Sequence, residues 1–290
     1  MVMGVQPSRR PPCDGSDKGF VRVRMDRRFP EDLASSLMPA ATPAPHRWDR
    51  AVPGANAGNA VWRVDLSLST ALPPGRTAWL SNEERARADR FLRAEDRSRF
   101  IESHVALRLI LARYGGWQPQ DLIFGQDAGG KPVLATHQRA GLHFNLSHSG
   151  SLALVGISCA APIGVDVEAI RPIDDPLPIA RAHFHRNEVE VLTQTPKALR
   201  NHAFFRLWTR KEAVVKALGT GLMLALDGFD VSTSAPSAPT VAWEGADPTG
   251  CGWSLSDFDL GPEAAGAVAF PLPGQSCHRY RLPEDWGLQG

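Results

Sequence analysis

The segment 163–168 constrains the fold more than any other stretch, because its residues alternate between apolar and acidic or small ones. The apolar residues fall on one face of an extended strand, and Asp166 and Glu168 fall together on the other. Carboxylates two residues apart on a strand lie roughly 7 Å from each other and repel. The pattern indicates either a strand with one hydrated acidic face or a pair of ligands for a hard cation such as Mg²⁺.

A long helix is predicted over residues 202–218, and Gly219 ends it. Trp208, Glu212 and Lys216 are spaced by four residues and therefore share one face of this helix. A carboxylate on that face could complete a metal site with the acidic strand. An ordinary ion pair between neighbouring turns explains Glu212 and Lys216 equally well.

Several segments carry groups that suit a phosphate ligand. Eight arginines fall between Arg85 and Arg113, and each presents a fixed fork of donors, although intervening acidic residues also fit a solvated mixed-charge helix. The segment 125–132 approaches a Walker A loop but fails at Pro132, where Ser or Thr must reach Mg²⁺. Lys131 is still predicted to be a phosphate-facing cation on a glycine-rich turn.

The tripeptide Ser147-His148-Ser149 is predicted to be a loop before a buried strand over residues 152–157. A hydroxyl and an imidazole together can bind a pyrophosphate. A Ser-His hydrolase is disfavoured, because adjacent side chains rarely align as nucleophile and base and no GxSxG elbow is present.

Bulk properties exclude several classes. The formal net charge is +1, which gives no reason to expect nucleic-acid binding by the chain as a whole. The four cysteines fit no zinc pattern. No apolar run approaches a membrane span and no secretory signal is present, so a cytoplasmic location is expected. Residues 1–57, rich in Arg, Pro, Ala and Ser, are predicted to be a disordered tail.

Strands and helices alternate from about residue 60 onward. A strand is predicted over residues 61–66, a helix opened by a capping box of Ser81 and Glu84, and a second helix over residues 100–114. Short strands at 122–124 and 132–134 follow, and the segment 144–146 leads into residues 147–150. After the acidic strand come a helix around 187–192, the long helix, and strands at 229–231, 240–243, 253–260 and 267–270. This order favours an α/β or α+β fold.

Three blocks of this sequence, taken together, resemble the signature of the Sfp-type 4′-phosphopantetheinyl transferases. They are Phe-Asn-Leu-Ser-His-Ser at 144–149, Gly-Val-Asp-Val-Glu at 164–168 and Trp-Thr-Arg-Lys-Glu-Ala-Val-Val-Lys-Ala-Leu-Gly at 208–219. The resemblance covers roughly residues 60–270. It implies an α+β pseudo-dimer of two similar α/β halves, 58–162 and 163–275, with coenzyme A in the cleft between them. Residues 276–290 are then a C-terminal extension.

The resemblance also implies roles for individual residues. Asp166, Glu168 and Glu212 are expected to bind Mg²⁺, with Mn²⁺ as a substitute. Asp166, Glu212 and Lys216 form the expected catalytic set, Glu212 as the base and Lys216 beside the scissile pyrophosphate. The expected coenzyme A contacts are Arg85, Arg87, Arg90, Lys131, Ser147, His148 and Lys211, the last in a supporting role. One departure is Phe100, which stands where some relatives place a hydroxyl residue.

The implied reaction moves 4′-phosphopantetheine from coenzyme A to a serine of an acyl or peptidyl carrier protein and releases adenosine 3′,5′-bisphosphate. Two alternatives stay open: a non-catalytic coenzyme A-binding regulatory protein on the same fold, and a Mg²⁺-dependent nuclease or phosphatase. The length argues against the short holo-acyl-carrier-protein synthases, which must oligomerise to form the cleft. A monomer without nucleic-acid or membrane partners is expected.

Overall fold

Strands and helices alternate along the chain as the sequence predicts. A computed structural model describes residues 58–66, 72–135, 141–221, 224–232, 234–235, 238–283 and 286. The predicted disordered tail, 1–57, lies outside the described residues. No helix within the described ranges is both long enough and apolar enough to cross a bilayer.

The described helices are α1 (Pro74–Thr77), α2 (Asn82–Ala88), α3 (Ala94–Gly115), α4 (Leu177–His183), α5 (Arg186–Gln194) and α6 (Lys197–Leu218). The described strands are β1 (Ala60–Asp65), β2 (Phe124–Gln126), β3 (Pro132–Leu134), β4 (His143–Ser149), β5 (Leu152–Ser158), β6 (Gly164–Ala169), β7 (Phe229–Asp230), β8 (Ser234–Ala235), β9 (Ala238–Pro239), β10 (Ala242–Trp243), β11 (Ser254–Asp259), β12 (Ala264–Phe270) and β13 (His278–Arg281).

The first half places α3 on a four-stranded sheet of order β13-β1-β5-β4. Trp62, Ile110 and Val155 are buried in the core between them. Strand β13 pairs in parallel with β1, in register from Ala60 opposite His278. The predicted C-terminal extension therefore supplies an edge strand to the sheet of the first half, which sequence patterning did not anticipate.

The second half places α6 on a three-stranded antiparallel sheet of order β11-β12-β6. Phe204, Leu207 and Ala267 are buried in that core. Both halves thus set a 22-residue helix against a sheet, which is mixed in the first half and antiparallel in the second. The predicted α+β architecture is confirmed.

The capping box predicted at Ser81 is also confirmed. The Ser81 hydroxyl accepts from the amide of Glu84 at 3.2 Å, and the Glu84 carboxylate accepts from the amide of Ser81 at 2.8 Å. Glu84 is buried and also accepts from Arg108 on α3. Burial raises the pKa of Glu84, but hydrogen bonds from His104, Arg108 and Ser81 outweigh it and hold the pKa at about 2. This carboxylate stays charged and ties α2 to α3.

Side chains rather than backbone groups join the two sheets, where edge strand β4 meets edge strand β6. The amides of Val165, Val167 and Ala169 donate to Asn145 Oδ1 at 2.8 Å, Ser147 Oγ at 3.3 Å and Ser149 Oγ at 3.1 Å, respectively. Buried amides must find acceptors, and here alternate side chains of β4 supply them. The prediction that residues 147–149 form a loop is wrong, since they continue β4.

A third core cluster lies across this junction. Ile163, Val165 and Val167, the predicted apolar face of the acidic segment, are at most 1% exposed. They pack with residues of the first sheet, among them Val61 and Leu154. The two halves therefore share a core, and β6 is held on its apolar face by both.

Gly164 lets β6 lie directly against α6. A Cβ at this position would stand 1.9 Å from the carbonyl oxygen of Ala213 and 2.4 Å from the amide nitrogen of Ala217. No side chain fits between two backbones at that separation. This contact fixes the acidic strand relative to the helix that carries Glu212 and Lys216.

We expect Gly164→Ala to lower the free energy of unfolding by about 1–3 kcal/mol, the usual cost of overpacking, because the strand and the helix must separate. Thermal or denaturant unfolding measures the effect. Gly228→Ala is the matched control, since nothing lies within 4 Å of the added methyl group. Equal stability of the two variants would contradict the close approach of β6 and α6.

Candidate active site

The acidic face of β6 lies beneath the serines of β4. Ser147 Oγ donates to Asp166 Oδ1 at 2.8 Å, and Ser149 Oγ donates to Glu168 Oε2 at 2.7 Å. Asp166 is only 3% exposed, whereas Glu168 is half-buried. The sequence left open a strand with one hydrated acidic face. In the structure this face is largely shielded from water, and its carboxylates accept hydrogen bonds from neighbouring hydroxyls.

One carboxylate oxygen of Asp166 lacks a hydrogen-bond donor. Its Oδ2 is buried, and among the described residues no group donates to it. Burial raises the pKa of Asp166 to about 6; Lys216 and Ser147 oppose the rise, and the negative charge of Glu168 adds to it. A buried carboxylate oxygen without a partner is costly, and a cation would satisfy it.

Helix α6 brings Lys216 to Asp166, and Glu212 lies one helical turn away and is coupled to Glu168. Lys216 Nζ lies 2.5 Å from Asp166 Oδ1 and 3.0 Å from Ser147 Oγ. Burial raises the pKa of Glu212; Lys216 opposes this, and Glu168 adds to it. The predicted catalytic and metal-binding residues are therefore electrostatically coupled across β6 and α6.

A cavity of about 670 Å³ opens beside this group, a volume that suits a small-molecule ligand. The β2–β3 hairpin, β4, α4, α6 and the segment after α6 all line it, so both halves contribute walls. Its lining includes Gly129, Gly130, Lys131, Pro132, Asn145, Leu146, His183, Glu212, Val215, Lys216 and Asp227. Glu212 and Lys216 thus stand at the wall of a cavity between the two halves.

Comparison with known proteins agrees with this arrangement. The profile of the 4′-phosphopantetheinyl transferase superfamily matches residues 162–269, and the profile of the 4′-phosphopantetheinyl transferase N-terminal region matches residues 75–160. The 4′-phosphopantetheinyl transferase HetI of Nostoc sp. (strain PCC 7120) is 35% identical over 210 residues, which are 72% of this chain and 86% of that protein. The chain belongs to the Sfp-type 4′-phosphopantetheinyl transferase family.

Two further relatives carry the same family name. The 4′-phosphopantetheinyl transferase psf-1 of Bacillus pumilus is 36% identical over 163 residues, 56% of this chain and 68% of the relative. The 4′-phosphopantetheinyl transferase Sfp of Bacillus subtilis (strain 168) is 34% identical over 168 residues, 58% of this chain and 73% of the relative. The predicted family and enzyme class are confirmed.

The predicted metal ligands of this transferase are not gathered closely enough in this structure to surround a metal ion. Over the part of the chain that the structure describes, no three His, Cys, Asp or Glu side chains are grouped closely enough to hold a metal ion. The ammonium of Lys216 instead provides the positive charge nearest to Asp166. The carboxylates, together with the unpartnered oxygen of Asp166, nevertheless fit the chemistry of a hard divalent cation.

Lys131 lines the cavity, and its ammonium donates to backbone carbonyls. Lys131 Nζ donates to the carbonyls of Ile163 at 2.8 Å and Lys216 at 2.6 Å. Burial lowers the pKa of Lys131 to about 8. Carbonyls at the last turn of a helix attract cations, so the ammonium caps α6. The contact of Lys131 with a phosphate stays a prediction.

His148 lies near the cations Arg87 and Lys216. His148 is exposed and points from the opposite face of β4 to Ser147. Partial desolvation lowers its pKa, and the charges of His104, Lys216 and Arg87 lower it further. The guanidinium of Arg87 lies 5.4 Å from the ring of Phe100. The ring of Phe100 therefore supports a neighbouring cation.

Three further residues are predicted to contact coenzyme A: Arg85, Arg90 and Ser147. Arg85 donates to the carbonyl of Leu80 and, at 2.7 Å, to Asn82 Oδ1, so it braces the start of α2. Arg90 is exposed. The hydroxyl of Ser147 faces Asp166 and Lys216, and this serine is not part of the cavity wall.

Lys211, which was predicted to support the coenzyme A contacts, is not part of the cavity wall. Its side chain is fully buried, and Nζ lies 2.9 Å from Glu188 Oε2 and 2.6 Å from the carbonyls of Leu226 and Phe229. Burial lowers the pKa of Lys211 and raises that of Glu188, and each charge offsets the effect on the other. Lys211 therefore holds α6 to α5 and to the segment before β7.

Sequence reasoning missed Glu188 and Ser149. Nothing in the pattern around Glu188 distinguishes it from an exposed helix residue. Ser149 could have been found, because its spacing from Ser147 equals that of Glu168 from Asp166.

We expect Lys211→Met to lower the free energy of unfolding by about 3–5 kcal/mol, because Glu188 is left as a buried, uncompensated charge. Denaturant unfolding measures this loss. The double variant Lys211→Met with Glu188→Gln should recover part of it. Unchanged stability together with weakened coenzyme A binding would show instead that Lys211 contacts the ligand.

Proposed function

We propose that this protein transfers the 4′-phosphopantetheine group of coenzyme A to a serine of an apo acyl or peptidyl carrier protein. The released product is adenosine 3′,5′-bisphosphate. The observation that carries the proposal is the ion pair of Lys216 on α6 with Asp166 on β6, with Glu168 and Glu212 electrostatically coupled next to it, beside a cavity between the two halves. Because both halves line that cavity, one chain suffices, and we propose a cytoplasmic monomer.

Mg²⁺ is the proposed cofactor, with Mn²⁺ as a substitute. Asp166, Glu168 and Glu212 would hold it, and the unpartnered Oδ2 of Asp166 supports this assignment. When bound, the ion would neutralise charge on the diphosphate of coenzyme A. Lys216 must then release Asp166, which leaves its ammonium at the cavity wall.

The residues at the cavity suit the proposed displacement. The carrier serine oxygen attacks the β-phosphorus, and the bond from this phosphorus to the bridging oxygen breaks. Glu212 takes the serine proton, through a water molecule, and its raised pKa suits a base. Lys216 stabilises the negative charge that remains on the leaving phosphate. Reactions of this class depend mainly on positioning and charge stabilisation.

We expect Asp166→Ala and Glu212→Ala each to lose at least 99% of transfer while remaining folded. Mass spectrometry of apo carrier proteins incubated with coenzyme A and Mg²⁺ measures the gain of one phosphopantetheine group. Glu190→Ala is the control, since it removes an exposed carboxylate that is not part of the cavity wall. Near-normal modification by either active-site variant would rule out the proposed roles, and no modification by the wild type would favour a non-catalytic coenzyme A-binding protein.

A further inference from the structure

Two serines of β4 lie in register with two carboxylates of β6. Ser147 and Ser149 are two residues apart, as are Asp166 and Glu168, so each serine reaches one carboxylate. The serines belong to one half of the molecule and the carboxylates to the other. The orientation of each carboxylate is therefore set from across the junction between the sheets.

The direction of each hydroxyl proton is fixed by its surroundings. Ser147 Oγ accepts from the amide of Val167, and Ser149 Oγ accepts from the amide of Ala169. A hydroxyl that accepts from an amide still has one proton to donate, and here that proton points at a carboxylate oxygen. One oxygen of each carboxylate is thus engaged. For Asp166 the other oxygen, Oδ2, is buried without a partner among the described residues.

We propose that Ser147 and Ser149 are positioning residues that orient Asp166 and Glu168 to bind the divalent cation. The inference rests on the proposed function, because it concerns the same carboxylates. Ser149 offers the cleaner test, since Ser147 also lies 3.0 Å from Lys216 Nζ.

A purely structural role must be distinguished from positioning. Ser254 on β11 provides the comparison, because its hydroxyl also bridges two segments: it donates to the carbonyl of Leu272 at 2.8 Å and accepts from the amide of Gln275 at 2.8 Å. It touches no carboxylate in doing so. Ser254→Ala therefore loses the same kind of bridge without disturbing the acidic face.

The test is a titration of the folded protein with Mn²⁺, followed by electron paramagnetic resonance, with the melting temperature of each variant measured in parallel. Ser149→Thr and Ser149→Val have nearly the same shape and differ in the hydroxyl group. We expect Ser149→Val and Ser149→Ala to weaken Mn²⁺ binding by about 10–100-fold, the usual cost of losing a partner of a metal ligand. Ser149→Thr should bind within about threefold of the wild type, and Ser254→Ala should bind equally well.

Each result decides the question. Equal Mn²⁺ affinity of Ser149→Thr and Ser149→Val, with the wild type binding, would overturn the positioning role and leave the proposed reaction intact. Failure of the wild type to bind Mn²⁺ would overturn the metal assignment, and this inference with it. Should Ser149→Ala not fold, the comparison of Thr with Val still decides the outcome.

Discussion

The structure depends on the junction at which β4 meets β6, because side chains replace a backbone ladder there. Asn145, Ser147 and Ser149 accept from the amides of β6, which would otherwise be buried without partners at a sheet edge. Two serines use their remaining hydrogen to bond the acidic face of the same strand. The contact that joins the halves therefore also shapes the site. A backbone ladder would join the sheets but would leave no hydroxyl for the carboxylates.

The charges at the site are poorly balanced within the protein itself. Burial raises the pKa of Asp166 and of Glu212, and the charge of Glu168 raises both further. Lys216 is the cation that offsets them, and Gly164 makes this contact achievable by letting α6 approach the strand. Groups that raise one another's pKa in a cavity commonly mark a functional site. The buried pair of Lys211 and Glu188 has a different role, because its charges are matched and shut away from the cavity.

Local patterns in the sequence predicted much of this arrangement. The alternation at 163–168 correctly placed the apolar side of β6 in the core and its carboxylates opposite, and the capping box at Ser81 was found where expected. Local sequence patterns did not predict the features that depend on contacts between distant segments. Lys211 looks like its neighbour Glu212 in the sequence, yet only the tertiary packing of α5 against α6 buries it. The strand over His278–Arg281 has no local sequence signature, because it forms by pairing with β1, which lies at the opposite end of the described chain.

We propose that carboxylates from β6 and α6 gather around one divalent cation next to bound coenzyme A. The most direct measurement is a crystal structure with coenzyme A and Mn²⁺, with data collected at the manganese absorption edge. We expect one strong anomalous peak beside Asp166, Glu168 and Glu212, with Lys216 moved from Asp166 toward the diphosphate. A bound coenzyme A with no peak at these residues, and with Lys216 still paired to Asp166, would contradict this proposal.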